Sequence, residues 1–194
     1  MVLRFSLYTA GILCLAVSLP WVARIGDATA FKENGIIEWL QFGLLLTVSW
    51  TFIHDIGSSH RFYHTYTAFA SLAAFAAVRE MDGNLDAVLP WLSWKIGYAF
   101  IVYAGYLFCK NRRAILQQLS ECLNSNGFLL LWAGFIIAIP FAQLVGNSAF
   151  LQSIMNDDYS RDYRRIIEEI GELMGYGLIL IGSIELTIQK SDAT

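Results

Sequence analysis

Long apolar runs alternate with short polar connectors along this chain. Residues 5–23, 36–54, 63–79, 91–108, 127–146 and 168–188 each read as a helix of membrane-spanning length, because about 20 apolar residues cross a bilayer core. Lipid offers no partners to backbone amides, so a chain of this pattern satisfies them inside helices. The expected fold is all-α: a polytopic transmembrane helical bundle of about six spans. Residues 1–194 would form a single integral membrane domain.

The segments differ in strength. The third, YHTYTAFASLAAFAAVR, is short, alanine-rich and ends in charge. The fourth follows Pro90, whose fixed φ suits the first turn of a helix. Pro140 removes a backbone donor within the fifth and predicts a kink there. The first resembles a signal peptide in having Arg4, an apolar core and the Ala28-Thr29-Ala30 triplet. Its core over 5–23 exceeds the roughly 7–15 residues of a secretory core, so it reads as an uncleaved first helix. The stretch CKNRRAILQQLSECLNSN predicts a short helix with a turn at Asn124–Asn126. Asp157 or Asp158 is the expected cap of a helix that runs on into the sixth span.

Composition agrees with this pattern. The chain is 56% hydrophobic and 15% charged, against about 45–50% and about 25% for soluble domains. A net charge of −3 with no dominant basic patch argues against a nucleic-acid partner. Cys14, Cys109 and Cys122 are odd in number and lack metal-ligand spacing, so no disulfide framework is expected. Lys and Arg divide almost evenly between the two sides. The Lys110, Arg112, Arg113 cluster is the one block of charge without nearby acids, and it favours both termini on the cytoplasmic side.

The acids divide unevenly. With six spans, Asp55, Glu121, Glu185 and Asp192 fall on the side of the termini, and the other twelve fall opposite. Acids at a helix start are stabilising by about 0.3–1 kcal/mol, which accounts for Glu33 and in part for Glu38 and Glu168. It does not account for Glu80 and Asp82 after the third helix, or for Lys95 in the first turns of the fourth. Both signs are misplaced at one boundary, which suggests that they pair. In the sixth helix Arg165, Glu169, Glu172 and Tyr176 share a stripe. Gly171, Gly175 and Gly182 form an adjoining stripe of the kind that lets helices approach closely.

Glu38, Glu80, Asp82, Glu169 and Glu172 are therefore candidate oxygen ligands for a cation, a divalent metal ion being the cofactor such groups would hold. Arg79, Lys95 and Arg165 are the candidate counter-charges. The paired Glu-x-x-His motifs of di-iron bundles are absent, as are a P-loop, G-x-S-x-G and H-E-x-x-H. His60 and His64 are spaced as a metal half-site, with His54 nearby, but on the opposite side; they read as an interfacial polar cluster. Trp39, Trp91 and Trp94 read as an interfacial belt.

The stretches ENGIIEWLQ at 33–41, REMD at 79–82 and EEIGELMGYGLILIGSIE at 168–185 resemble a family of uncharacterised bacterial polytopic membrane proteins. The resemblance runs from about residue 30 onward. It implies a multi-pass protein of the bacterial inner membrane and brings no activity, cofactor or site residue. Three functions fit the residues. One is a membrane protein with a cation- or metal-binding carboxylate site at its outer boundary, whether catalytic or not. Another is a transporter or channel protomer, assembled as a homo-oligomer through glycine-rich faces, that passes cations or protons along the same acids. The third is a structural or sensing subunit docking a cytoplasmic protein on Lys110, Arg112 and Arg113. The lipid bilayer is a partner in all three.

Overall fold

A computed structural model describes residues 2–26, 30–31, 34–54 and 61–191. Glu33, His60, Asp27, Asp55 and Asp192, and most of the A-x-A triplet, lie outside the described residues. The described residues are helical, without strands. In chain order they form α1 (Val2–Gly26), α2 (Ile36–Ile53), α3 (Tyr63–Glu80) and α4 (Asp82–Val88). A 3-10 turn (Ser93–Gly97) leads into α5 (Tyr98–Lys110), followed by α6 (Arg112–Leu123) and α7 (Asn126–Ile136). A π-helical segment (Ile137–Phe141), α8 (Ala142–Val145) and α9 (Ser148–Met155) precede α10 (Arg161–Ser191).

Four helical stretches are long and apolar enough to cross a membrane: 3–22, 36–53, 126–145 and 161–189. The fourth expected span is not one straight helix. Asp82–Val88 and Ser93–Lys110 meet at 107°, and the chain turns at Leu89–Leu92 rather than entering a helix at Pro90. The third segment is helical over 18 residues but too polar to pass on hydropathy. Pro140 lies in the widened π-helical turn, where its missing N–H costs no regular i→i−4 bond.

The bundle is built around α10. Its small residues let it lie against the backbone of α7, the π segment and α8, running antiparallel to them. A Cβ on Gly182 would meet the backbone of Leu131, one on Gly175 that of Ala138, and one on Gly171 would sit 3.3 Å from the Ala142 Cβ. Gly127 and Gly134 return the contact, against Leu186 and against Gly175 with Ile179. The glycine stripe is thus used within the chain. Along α2, the buried residues Ile37, Gln41, Leu45, Val48 and Phe52 follow a 3–4 spacing, the stripe a helix turns to its neighbours. They pack on α3 and α10, where Leu45, Ala77, Ala138 and Tyr176 form one core cluster. A second cluster gathers Val48, Phe52, Phe62, Tyr66, Cys122, Phe128 and Leu186 at the other end.

Two connectors are pinned by side chains. Gln118 of α6 accepts from the Thr65 amide and hydroxyl and donates to the Arg61 carbonyl, beside an Arg61–Glu121 ion pair at 2.7 Å. The start of α10 is capped by Ser160, whose hydroxyl accepts from the Asp162 amide. Asp157 and Asp158, the expected caps, lie in a separate 3-10 turn. A hydroxyl adjacent to the helix reaches its free amides, whereas those two acids sit a turn too early.

Candidate carboxylate cavity

The helix boundaries change what each acid means. Because α10 begins at Arg161, Glu168, Glu169 and Glu172 stand two to three turns inside it. The dipole acts on about the first turn, so it cannot explain them. Glu38 is explained: it sits in the first turn of α2, and its Oε2 accepts from the Asn34 amide at 2.6 Å, a reach-back of the capping-box type. Asp82 occupies the first turn of α4, where an acid is favourable, so it is not misplaced. Lys95 lies in the 3-10 turn, exposed, and makes no ion pair among the described residues. The expected pairing of Lys95 with the acids is absent because the break at 89–92 takes it out of a long helix and turns it outward.

Glu80 remains, in the last turn of α3 and 8% exposed. It is held by two partners. The Tyr176 hydroxyl donates to its Oε1 at 2.8 Å, and Arg79 Nη2 donates to the same oxygen at 3.3 Å. The same Arg79 nitrogen lies 3.7 Å from Glu172 Oε1. Glu172 is 5% exposed, and no described residue donates a hydrogen bond to it. One guanidinium therefore serves two nearly buried carboxylates on different helices. The register of α10 sets this up: Glu169, Glu172 and Tyr176 share the face that meets α2 and α3, because Gly171 and Gly175 turn the neighbouring face to α8 and the π segment.

Glu169 faces α2. The Gln41 amide donates to its carboxylate at 3.0 Å and to its main-chain carbonyl at 3.2 Å. Gln41 is fully buried, and its own carbonyl oxygen has no hydrogen-bond partner among the described residues. At the rim Gln143 donates to Glu168 at 3.1 Å, and Arg164 donates to Ser148 at 3.0 Å. These elements enclose a cavity of about 570 Å³, open on one side. Glu38, Glu80, Asp82, Glu169, Glu172, Arg79 and Arg165 all line it, so every candidate ligand and two of the three counter-charges converge on one space. Gly83, Asp86, Trp94, Gln143, Arg164 and Glu168 complete the wall.

Contributors beyond the expected set include Gln41, Tyr176 as a hydrogen-bond donor, Gln143 and Arg164. Gln41 had a signal, three residues after Glu38 within an apolar run and so on its face. Gln143 and Arg164 had none, since their role depends on how α8 and α10 cross. Lys110, Arg112 and Arg113 are exposed at the α5–α6 junction, away from this cavity, with Lys110 over the Tyr106 ring. His54 lies against Trp50, and His64 carries a buried Nδ1 without a partner among the described residues.

The acids surround the cavity rather than closing on a point. Among the described residues, no three His, Cys, Asp or Glu side chains are grouped as metal ligands. A bare calcium ion wants six to eight oxygens at about 2.3–2.6 Å. The arrangement instead offers spaced negative charge around a volume typical of small-molecule sites, about 300–1,000 Å³. Comparison with family models, curated proteins and solved structures finds no match for this chain.

Proposed function

We propose that this chain is a multi-pass protein of the bacterial inner membrane, both termini cytoplasmic, that binds a cation in the carboxylate cavity on the outer side. The reading is carried by Glu80 and Glu172: two nearly buried carboxylates line one cavity and share a single guanidinium. Ionisable groups among membrane helices are costly, at about 2.5–3.5 kcal/mol each on insertion scales, and a bound cation offsets that cost. The spacing of the acids suits a hydrated or polyatomic cation. The test is thermal unfolding of the purified protein against a panel of magnesium, calcium, manganese, sodium and a linear polyamine. A ligand at 100 times its Kd stabilises by about 2.7 kcal/mol. At least one cation should raise the wild-type Tm and leave Glu172→Gln with Glu80→Gln unmoved. Identical responses of the two proteins across the panel would overturn the reading.

A second reading, passage of a cation or proton across the bilayer, is favoured by one observation. Glu185, 1% exposed, lies at the other end of α10, about 20 Å from Glu172 at 1.5 Å per residue. It accepts from the Tyr8 hydroxyl and the Gln189 amide, both at 2.7 Å, with Arg4 at 3.7 Å. Flux into sealed vesicles that is lost in Glu185→Gln, while cation-induced stabilisation persists, would support it; vesicles that stay tight under every gradient would reject it.

A further inference from the structure

The 107° break between α4 and the 3-10 turn leaves a hairpin whose two faces differ. One face belongs to the cavity: Asp82, Gly83, Asp86 and Trp94 line it. The base of the hairpin rests on two neighbours. Gly83 lies beside Asn34, where a Cβ would stand in ordinary contact 3.4 Å from the side-chain oxygen. Gly97 lies against Phe75 and Val78, where a Cβ would meet carbons at 3.1 and 3.2 Å. The tip, by contrast, touches little. Val88 and Trp91 are each 75% exposed, and residues 87–92, AVLPWL, carry no charge.

We propose that residues 87–92 insert into the headgroup region of the bilayer as a membrane-anchoring loop, seating the mouth of the acidic cavity at the membrane surface. The occupant follows from position and chemistry. The cavity is bounded by the ends of α2 and α3 and by the first turns of α10, and α2 and α10 are long and apolar enough to cross a membrane. The loop beside it then lies where hydrocarbon gives way to headgroups. Tryptophan is the residue best suited to that zone, with an apolar ring and one N–H. Trp39, exposed and in the first turns of α2, continues the same belt. An uncharged tip beside acids that face the cavity suits lipid, not an aqueous partner.

The proposal rests on the membrane reading above, and the experiment separates the two. Two single-tryptophan variants, one keeping Trp91 and the other Trp132 on α7, are placed in phosphatidylcholine vesicles brominated at graded acyl depths. Trp91 should emit blue-shifted, lose intensity most with bromines nearest the headgroup and be protected from aqueous iodide. Trp132, exposed on a helix of spanning length, should be quenched by deep bromines. Quenching of Trp91 by iodide alone, or by neither quencher as for a protein-covered surface, overturns the proposal while Trp132 upholds the membrane reading. Lack of bromine quenching at both sites overturns both. Should a single-tryptophan chain fail to fold, a nitroxide on Trp91→Cys, with Cys14, Cys109 and Cys122 replaced by Ser or Ala, gives the same decision. The ratio of oxygen to nickel-chelate collisions should fall between that of a nitroxide in water and that of one on Trp132→Cys, and a ratio equal to that in water refutes the loop.

Discussion

Gly175→Ala is the sharpest probe of how the cavity is assembled. A Cβ at 175 would stand 2.5 Å from the Ala138 Cβ and 2.6 Å from its Cα, whereas carbons settle at about 3.5–4.0 Å. The two helices must part by about 1 Å, and a gap of that size forfeits a quarter to a half of each contact's attraction. Overpacking of this kind costs about 1–3 kcal/mol. The control is Gly43→Ala, where nothing lies within 4 Å of the added carbon, so it registers the glycine-to-alanine helix preference alone. Equilibrium unfolding in mixed detergent micelles should place Gly175→Ala below Gly43→Ala by about 1–3 kcal/mol. The shift also reaches the site. Tyr176 follows in sequence, so a displacement of α10 perturbs its 2.8 Å bond to Glu80, which depends on both distance and angle. Cation-induced stabilisation should therefore fall with it. Equal stabilities for the two variants would refute the close approach of α10 to the π-helical segment.

Arg79→Ala leaves Glu80 and Glu172 without their shared cation. Because Arg79 is about half exposed, the loss is put at about 1–3 kcal/mol, below that for a wholly buried pair; adding Glu80→Gln should restore part of it in the same unfolding assay. Glu185→Ala removes the acceptor of Tyr8 and Gln189 and the partner of Arg4, at about 1–3 kcal/mol. Since α1 otherwise meets the bundle through residues such as Leu15 and Leu19, protease cleavage near the start of α1 should accelerate, and an unchanged rate would deny the clip. Lys95→Ala should change stability by less than about 0.5 kcal/mol, because its ammonium is exposed and makes no ion pair among the described residues; a larger loss would restore the pairing expected from the sequence.

Local pattern was enough for some of this molecule. The 56% apolar composition and the run lengths determined an all-α chain, because a helix is the cheapest way for so apolar a stretch to satisfy its amides. Helical periodicity also put Arg165, Glu169, Glu172 and Tyr176 on one stripe and Gly171, Gly175 and Gly182 beside it, since residues three and four apart share a face wherever the helix lies. Tertiary structure decided the rest. The break at Met81 made Asp82 an ordinary helix-start acid, and the 107° bend after Val88 sent Lys95 outward; the angle between packed elements is not set by local propensity. The length of α10 carried Glu172 beyond reach of the dipole. Above all, Glu80 and Glu172, 92 positions apart, share Arg79 only because the glycines of α10 lock it against α7 and the π segment, which turns its acidic face to α2 and α3. Periodicity assigns a residue to a face of its own helix; which helices that face meets is set by long-range packing.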